Sequence, residues 1–146
     1  MKVLWVEDHA PVRDMLAIAA DKAARSRVQV DLVMAPTLMA AESRLRLERF
    51  DLVVLDLGLP DSLDPDMTIA RIANMGKYRI AVVSSMDTRD QVVESALRCG
   101  ANIHPQAVFK AGLPFNRFIQ RPEAFEDFLM DLMPGAADAK LSVRAA

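Results

Sequence analysis

Short apolar runs alternate along the chain with longer stretches in which apolar residues return every three or four positions. Five runs read as strands: Lys2–Val6, Val28–Met34, Asp51–Leu55, Arg79–Val83 and Ala107–Phe109. Val3–Val6, Leu52–Leu55 and Ile80–Val83 are apolar without a break, as strands buried on both faces are. Val28-Gln29-Val30-Asp31-Leu32 alternates instead, which predicts an edge strand. Helices are predicted between the runs. Pro11 suits a first turn, and Val12, Met15, Leu16, Ala19 and Ala23 follow at helical spacing. Thr37 is the predicted N-cap of a second helix reaching about Glu48, with Ala41 and Leu45 on its inner face. Asp64-Pro65-Asp66 opens a third with cap, proline and dipole-favouring acid, and Gly76 ends it. Asp87 is the predicted cap of the fourth, with Val93, Ala96 and Leu97 facing inward and Gly100 as the stop. The fifth starts near Pro122, runs through Phe125, Phe128, Leu129 and Leu132, and halts at Pro134-Gly135.

Strand and helix alternating in this way predict an α/β fold: a doubly wound, five-stranded parallel sheet with helices on both faces, flavodoxin-like. The order 2-1-3-4-5 accommodates the alternating edge strand and the apolar central ones. It sets strands 1 and 3 side by side. Glu7-Asp8 follows the first of these and Asp56 the second, so three carboxylates meet at the carboxyl edge, where open α/β sheets bind ligands. Carboxylates in one pocket repel unless protons or a cation neutralise them, and oxygen ligands suit a hard divalent ion. Ser84 and Lys110, after strands 4 and 5, reach the same edge.

Composition narrows the setting. The 146 residues suit one domain, and the 52% apolar and 26% charged content suits a soluble globular one. Residues 1–133 are predicted to form it, with 134–146 a flexible tail, small and polar and without periodicity. A net charge of −2 gives no reason to expect nucleic-acid binding, and no apolar stretch is long enough for a membrane span. A strand-like start without a signal-peptide pattern, together with a single cysteine, predicts the cytoplasm. That residue, Cys99, is read as structural, His9 as a rim residue and His104 as part of a loop.

The segments Val6-Glu7-Asp8-His9-Ala10-Pro11-Val12-Arg13-Asp14, Asp56-Leu57-Gly58-Leu59-Pro60-Asp61, Val83-Ser84-Ser85 and Gly100-Ala101, with Lys110, stand in the order and at the strand ends of a response-regulator receiver domain. The chain resembles that family well over residues 1–110 and loosely beyond. The resemblance implies that Asp56 is the phosphoacceptor, that Asp8, Asp56 and the Gly58 carbonyl hold Mg²⁺, and that Glu7 acts through a coordinated water. It further implies that Lys110 pairs with a phosphoryl oxygen, or with Asp56 beforehand, and that Ser84 hydrogen-bonds the phosphoryl group. Gly58 and Met86 take the positions that tune water access to the acyl phosphate, and they suggest slow self-hydrolysis. The implied partners are a sensor histidine kinase or phosphotransfer protein and a downstream protein target. The protein would catalyse only its own phosphorylation and dephosphorylation.

The chain departs from the family around strand 5. The interval from Gly100-Ala101 to Lys110 is longer than usual, with Asn102-Ile103-His104-Pro105-Gln106 as the insertion. Ala111 replaces the proline after the lysine. Ala107 stands where the family carries its switch aromatic, leaving Phe109 as the substitute. The connection from Ala111 to Gln120 is long, and its Phe115, Phe118 and Ile119 need burial, either in a homodimer or partner surface or back on the same domain. Three alternative functions follow: a degenerate receiver that binds a partner constitutively, the excised receiver of a DNA-binding regulator, and an aspartyl-phosphate hydrolase. The hydrolase fits least, because the haloacid dehalogenase-like phosphatases carry Asp-x-Asp on strand 1.

Overall fold

A computed structural model describes residues 1–134. The strands are β1 (Lys2–Val6), β2 (Asp31–Ala35), β3 (Leu52–Leu55), β4 (Arg79–Ser84) and β5 (Val108–Phe109). All pair in parallel, in the order β2-β1-β3-β4-β5 that the sequence predicts. Helices α1 (Ala10–Ala24), α5 (Phe115–Gln120) and α6 (Pro122–Asp131) cover one face. Helices α2 (Leu38–Leu47), α3 (Pro65–Ala73) and α4 (Arg89–Arg98) cover the other. The architecture is the doubly wound, flavodoxin-like one that the sequence predicts.

Register decides which residues share a face. Leu4 pairs with Val53 and Val53 with Ile80, while Val6 pairs with Leu55 and Leu55 with Val82. These six pack under Leu38, Ala41 and Leu45 of α2 and Ile69 and Ile72 of α3. The intervening residues Val3, Trp5, Leu52, Val54, Ala81 and Val83 point the other way, onto Leu16 and Ala19 of α1 and Phe125 and Leu129 of α6. Burying each such side chain stabilises the fold by roughly 1.5–3 kcal/mol, which locks the register, since a one-residue slip would swap the faces.

Local signals explain most boundaries. Thr37 Oγ1 accepts from the Ala40 amide at 3.1 Å and Asp64 Oδ1 from that of Asp66 at 3.0 Å, so both predicted caps form. Gly100 adopts a φ of 82° just after α4, a left-handed turn that glycine adopts without steric cost. Elsewhere the structure corrects the expectation. β2 starts at Asp31, which pairs with Lys2, so Val28–Val30 lead into the strand and do not belong to it. Thr88, not Asp87, precedes α4 and makes no side-chain cap. Val92 and Val93 face inward, with Ala96 half-buried beside them, and Leu97 is exposed. Cys99, at the end of α4, is also exposed, so burial does not account for it.

The insertion before Lys110 is an excursion from the sheet. Ile103 bridges Ile80 and Val108 pairs with Val83, so three steps along β4 face five along the other chain. The surplus loops out around His104–Ala107, and β5 rejoins in time to deliver Lys110 to the carboxyl edge. The long connection after it contains α5, a helix the sequence reading did not predict. Phe118 lies 5.2 Å from Phe125 and 5.1 Å from Phe128, and Phe115 and Ile119 pack beside them. Their burial is thus met within the chain. Among the described residues, no helix is long and apolar enough to cross a membrane. The predicted tail lies, beyond Pro134, outside the described residues.

Candidate functional site

Every candidate side chain lies at the carboxyl end of a strand: Glu7, Asp56 and Lys110 one step past it, Asp8 two, Gly58 three, and Ser84 on the last residue of β4. Val6 and Leu55 are paired neighbours, and the ladder continues as the Asp56 amide donates to the Val6 carbonyl at 3.2 Å. Glu7 is fixed likewise, its amide donating to the Ala35 carbonyl at 2.9 Å. The two carboxylates therefore emerge side by side. One oxygen from each of Glu7, Asp8 and Asp56 lies within 4.8 Å of the others. Glu7 is 1% exposed and Asp56 5%, while Asp8 faces solvent.

Lys110 completes the cluster from β5. Its Nζ is 2.6 Å from Glu7 Oε1 and 3.1 Å from Asp56 Oδ2. The lysine thus pairs with both acids, and more closely with Glu7, where the sequence pointed to Asp56. Burial alone would lower the Lys110 ammonium, but its hydrogen bonds to both carboxylates outweigh it and the net shift is upward. Burial pushes the Glu7 carboxyl up, Lys110 draws it down and Asp56 raises it again; the balance is above the ordinary carboxylate range. Two negative charges remain in this cluster once three carboxylates are set against one ammonium. That is the charge of one divalent cation.

The donor set fits such an ion. All three side-chain ligands are hard oxygens, and Mg²⁺ typically takes one or two carboxylates and keeps several waters. Asp8 on the open side gives an approach from solvent. Around the cluster lies a cleft of about 440 Å³ lined by Asp8, His9, Asp56, Gly58, Ser84 and Lys110, with Ser85 and Met86 completing it. The Gly58 amide donates to Asp56 Oδ1 at 3.0 Å, holding that carboxylate in place. Ser84 is fully buried, and its Oγ accepts from the Met86 amide at 3.0 Å. The structure therefore brings Asp8, Asp56, Gly58, Ser84 and Lys110 to one cleft, with Glu7 buried against Lys110 and His9 at the rim.

Three further residues support the site without having stood out in the sequence. Arg13 Nη1 donates to the main-chain carbonyls of Glu7 at 3.0 Å and Asp8 at 2.6 Å, bracing the loop that carries both acids. Its place one turn into a helix after an acidic pair was the only available signal. Arg89 donates to the Met86 carbonyl at 3.0 Å and stacks its guanidinium 4.6 Å from the centre of the Phe109 ring. Phe109 is 47% exposed beside Lys110, while Ala107 fills the nearby half-buried position. Asp61 hydrogen-bonds the start of α2.

No protein-family profile matches the sequence, and no curated protein matches it either. Solved structures do. The BeF3-activated N-terminal receiver domain of Klebsiella pneumoniae RstA is 25% identical, with a TM-score of 0.61 over 86% of this chain and 98% of that one. A CheY-like receiver domain protein from Methanospirillum hungatei JF-1 superposes with a TM-score of 0.63 at 15% identity, over 87% of this chain and 94% of its own. Vibrio cholerae chemotaxis protein CheY4 gives 0.62 at 19% identity, over 90% and 98%. The chain has the fold of response-regulator receiver domains.

Proposed function

We propose that this chain is a phosphoacceptor receiver, modified on Asp56 and signalling through protein contacts. The observation that carries this reading is the Glu7–Asp8–Asp56–Lys110 cluster at the carboxyl edge of a receiver-type sheet. An Asp56 oxygen attacks phosphorus of a phosphohistidine on a sensor kinase or phosphotransfer protein. The O–P bond forms as the N–P bond breaks, and the imidazole leaves and takes up a proton. Mg²⁺, held by Asp8, Asp56 and the Gly58 carbonyl with Glu7 acting through water, would neutralise the charge that otherwise keeps carboxylate and phosphoryl apart. Lys110 then shifts from Glu7 and Asp56 to a phosphoryl oxygen, and the Ser84 hydroxyl donates to another.

The modification adds nearly two negative charges to a buried cluster. Ser84 holds the Met86 amide and Arg89 holds the Met86 carbonyl, so a movement of Ser84 is transmitted to the start of α4 and to Phe109. That face is where a downstream protein would sense the phosphoryl group. Dimerisation is one form such a contact could take, read by sedimentation with and without fluoroberyllate. We infer a cytoplasmic setting and no turnover of outside substrates. One observation favours a second reading, a constitutive binding module: Ala107 stands where an aromatic switch would be.

One measurement separates the two. Incubation with Mg²⁺ and acetyl phosphate should add a single phosphoryl mass to the wild type and none to Asp56→Asn. An unmodified wild type, or a modified Asp56→Asn, overturns the phosphoacceptor reading.

A further inference from the structure

The loop between Asp56 and α3 is anchored at two points. At its start, Gly58 donates to the Asp56 carboxylate. Leu57 and Leu59 are buried in the same cluster as Leu38, leaving Gly58 and Pro60 on the outside. Midway along it stands Asp61. The first amides of an α-helix have no partner within the helix. In α2, Thr37 takes one of them, that of Ala40. The amides of Leu38 and Met39 are taken by Asp61, at 2.8 Å and 2.9 Å, one to each carboxylate oxygen. These are charge-assisted bonds in line with the helix dipole, formed between segments more than 20 residues apart in the chain. Burial would raise the Asp61 carboxyl, but the two amides outweigh it and keep the group ionised.

We propose that Asp61 is a positioning residue for the cleft. It ties the loop carrying Gly58 to the N-terminus of α2, and so holds the Gly58 main chain and the Asp56 carboxylate in the geometry that binds Mg²⁺. The proposal rests on the phosphoacceptor reading. Removing the tether leaves the burial of Leu57 and Leu59 as the loop's remaining hold, so the fold survives while the Gly58 main chain between them is less tightly fixed.

The test compares Mg²⁺ dissociation constants by calorimetry, with urea unfolding alongside. Asp61→Ala should bind about 10-fold more weakly than wild type, the scale seen when a partner that orients a metal ligand is lost. Asp61→Asn, which keeps one acceptor oxygen, should fall between. Thr37→Ala is the control, because it removes a cap from the same helix and leaves the tether intact. It should lose comparable stability yet bind Mg²⁺ within about two-fold of wild type, well short of an orienting-partner loss. Asp61→Ala with wild-type affinity, or Thr37→Ala weakened equally, overturns the positioning role alone. Should Asp61→Ala not fold, Asp61→Asn is judged by the same comparison. A wild type that binds no Mg²⁺ and takes up no phosphoryl group overturns the reading beneath it as well.

Discussion

Lys110→Met is the most informative perturbation of this protein. The ammonium contacts two carboxylates that are almost wholly buried, at 2.6 Å and 3.1 Å, and is itself only 18% exposed. At an effective dielectric of about 20, each contact is worth roughly 5–6 kcal/mol before desolvation. Lysine's own desolvation cancels much of that, and removing one partner of a buried pair typically costs about 3–5 kcal/mol net. The lower end applies here, because Asp8 admits water and because Glu7 can take up a proton. We expect a loss of about 3 kcal/mol near neutral pH without Mg²⁺, read by urea unfolding. The sign of the pH dependence follows from Glu7. Its carboxyl already lies above its unfolded value through burial, and losing Lys110 removes the influence that draws it down. Its ionised form thus weakens the fold at high pH, and stability returns as pH falls through the folded value. The deficit of Lys110→Met should shrink as pH falls through the raised Glu7 titration, and shrink also on adding Mg²⁺ or on combining it with Glu7→Gln. A deficit below about 1 kcal/mol, or one insensitive to all three, would refute the account of a charge-compensated cluster.

Mg²⁺ should bind more tightly as pH rises through the raised Glu7 titration and should release protons there, because the ion favours the ionised carboxylate. Calorimetry in two buffers of different ionisation heat checks this, and buffer-independent heats count against it. Gly58→Gln should fold normally, since a Cβ there meets only Asp56 Oδ1 at 3.7 Å. It should shorten the acyl-phosphate lifetime by giving an attacking water a side chain to orient it; an unchanged decay of the phosphorylated mass contradicts that. Phe118→Ala should cost about 3–5 kcal/mol, because the ring is buried between Phe125 and Phe128. A loss under about 1 kcal/mol would show that α5 is not part of the core.

Periodicity alone determined much of this protein. Unbroken apolar runs before Glu7 and Asp56 announced central strands ending in acid; the second strand does lie at the edge, but most of the alternation that suggested it belongs to the lead-in Val28–Val30. Topology then brought the acids together. These features were legible because strand period, caps and turn residues are local, and the order 2-1-3-4-5 follows from how parallel strands can be connected. Tertiary structure decided the rest. Lys110 divides itself between Glu7 and Asp56 because the excursion at His104–Ala107 lets β5 rejoin β4 at Val83, a matter of register that spacing along the chain does not reveal. Helix α5 is only six residues long: Phe115, Phe118 and Ile119 stand at helical spacing, but so short a run does not settle a helix, which forms because Phe118 finds Phe125 and Phe128 to pack against. Asp61 reads in sequence as one more turn acid. Only packing the Asp56 loop against α2 makes it the cap of a distant helix, since hydrogen-bond partners far apart in the chain are chosen by the fold and not by their neighbours in sequence.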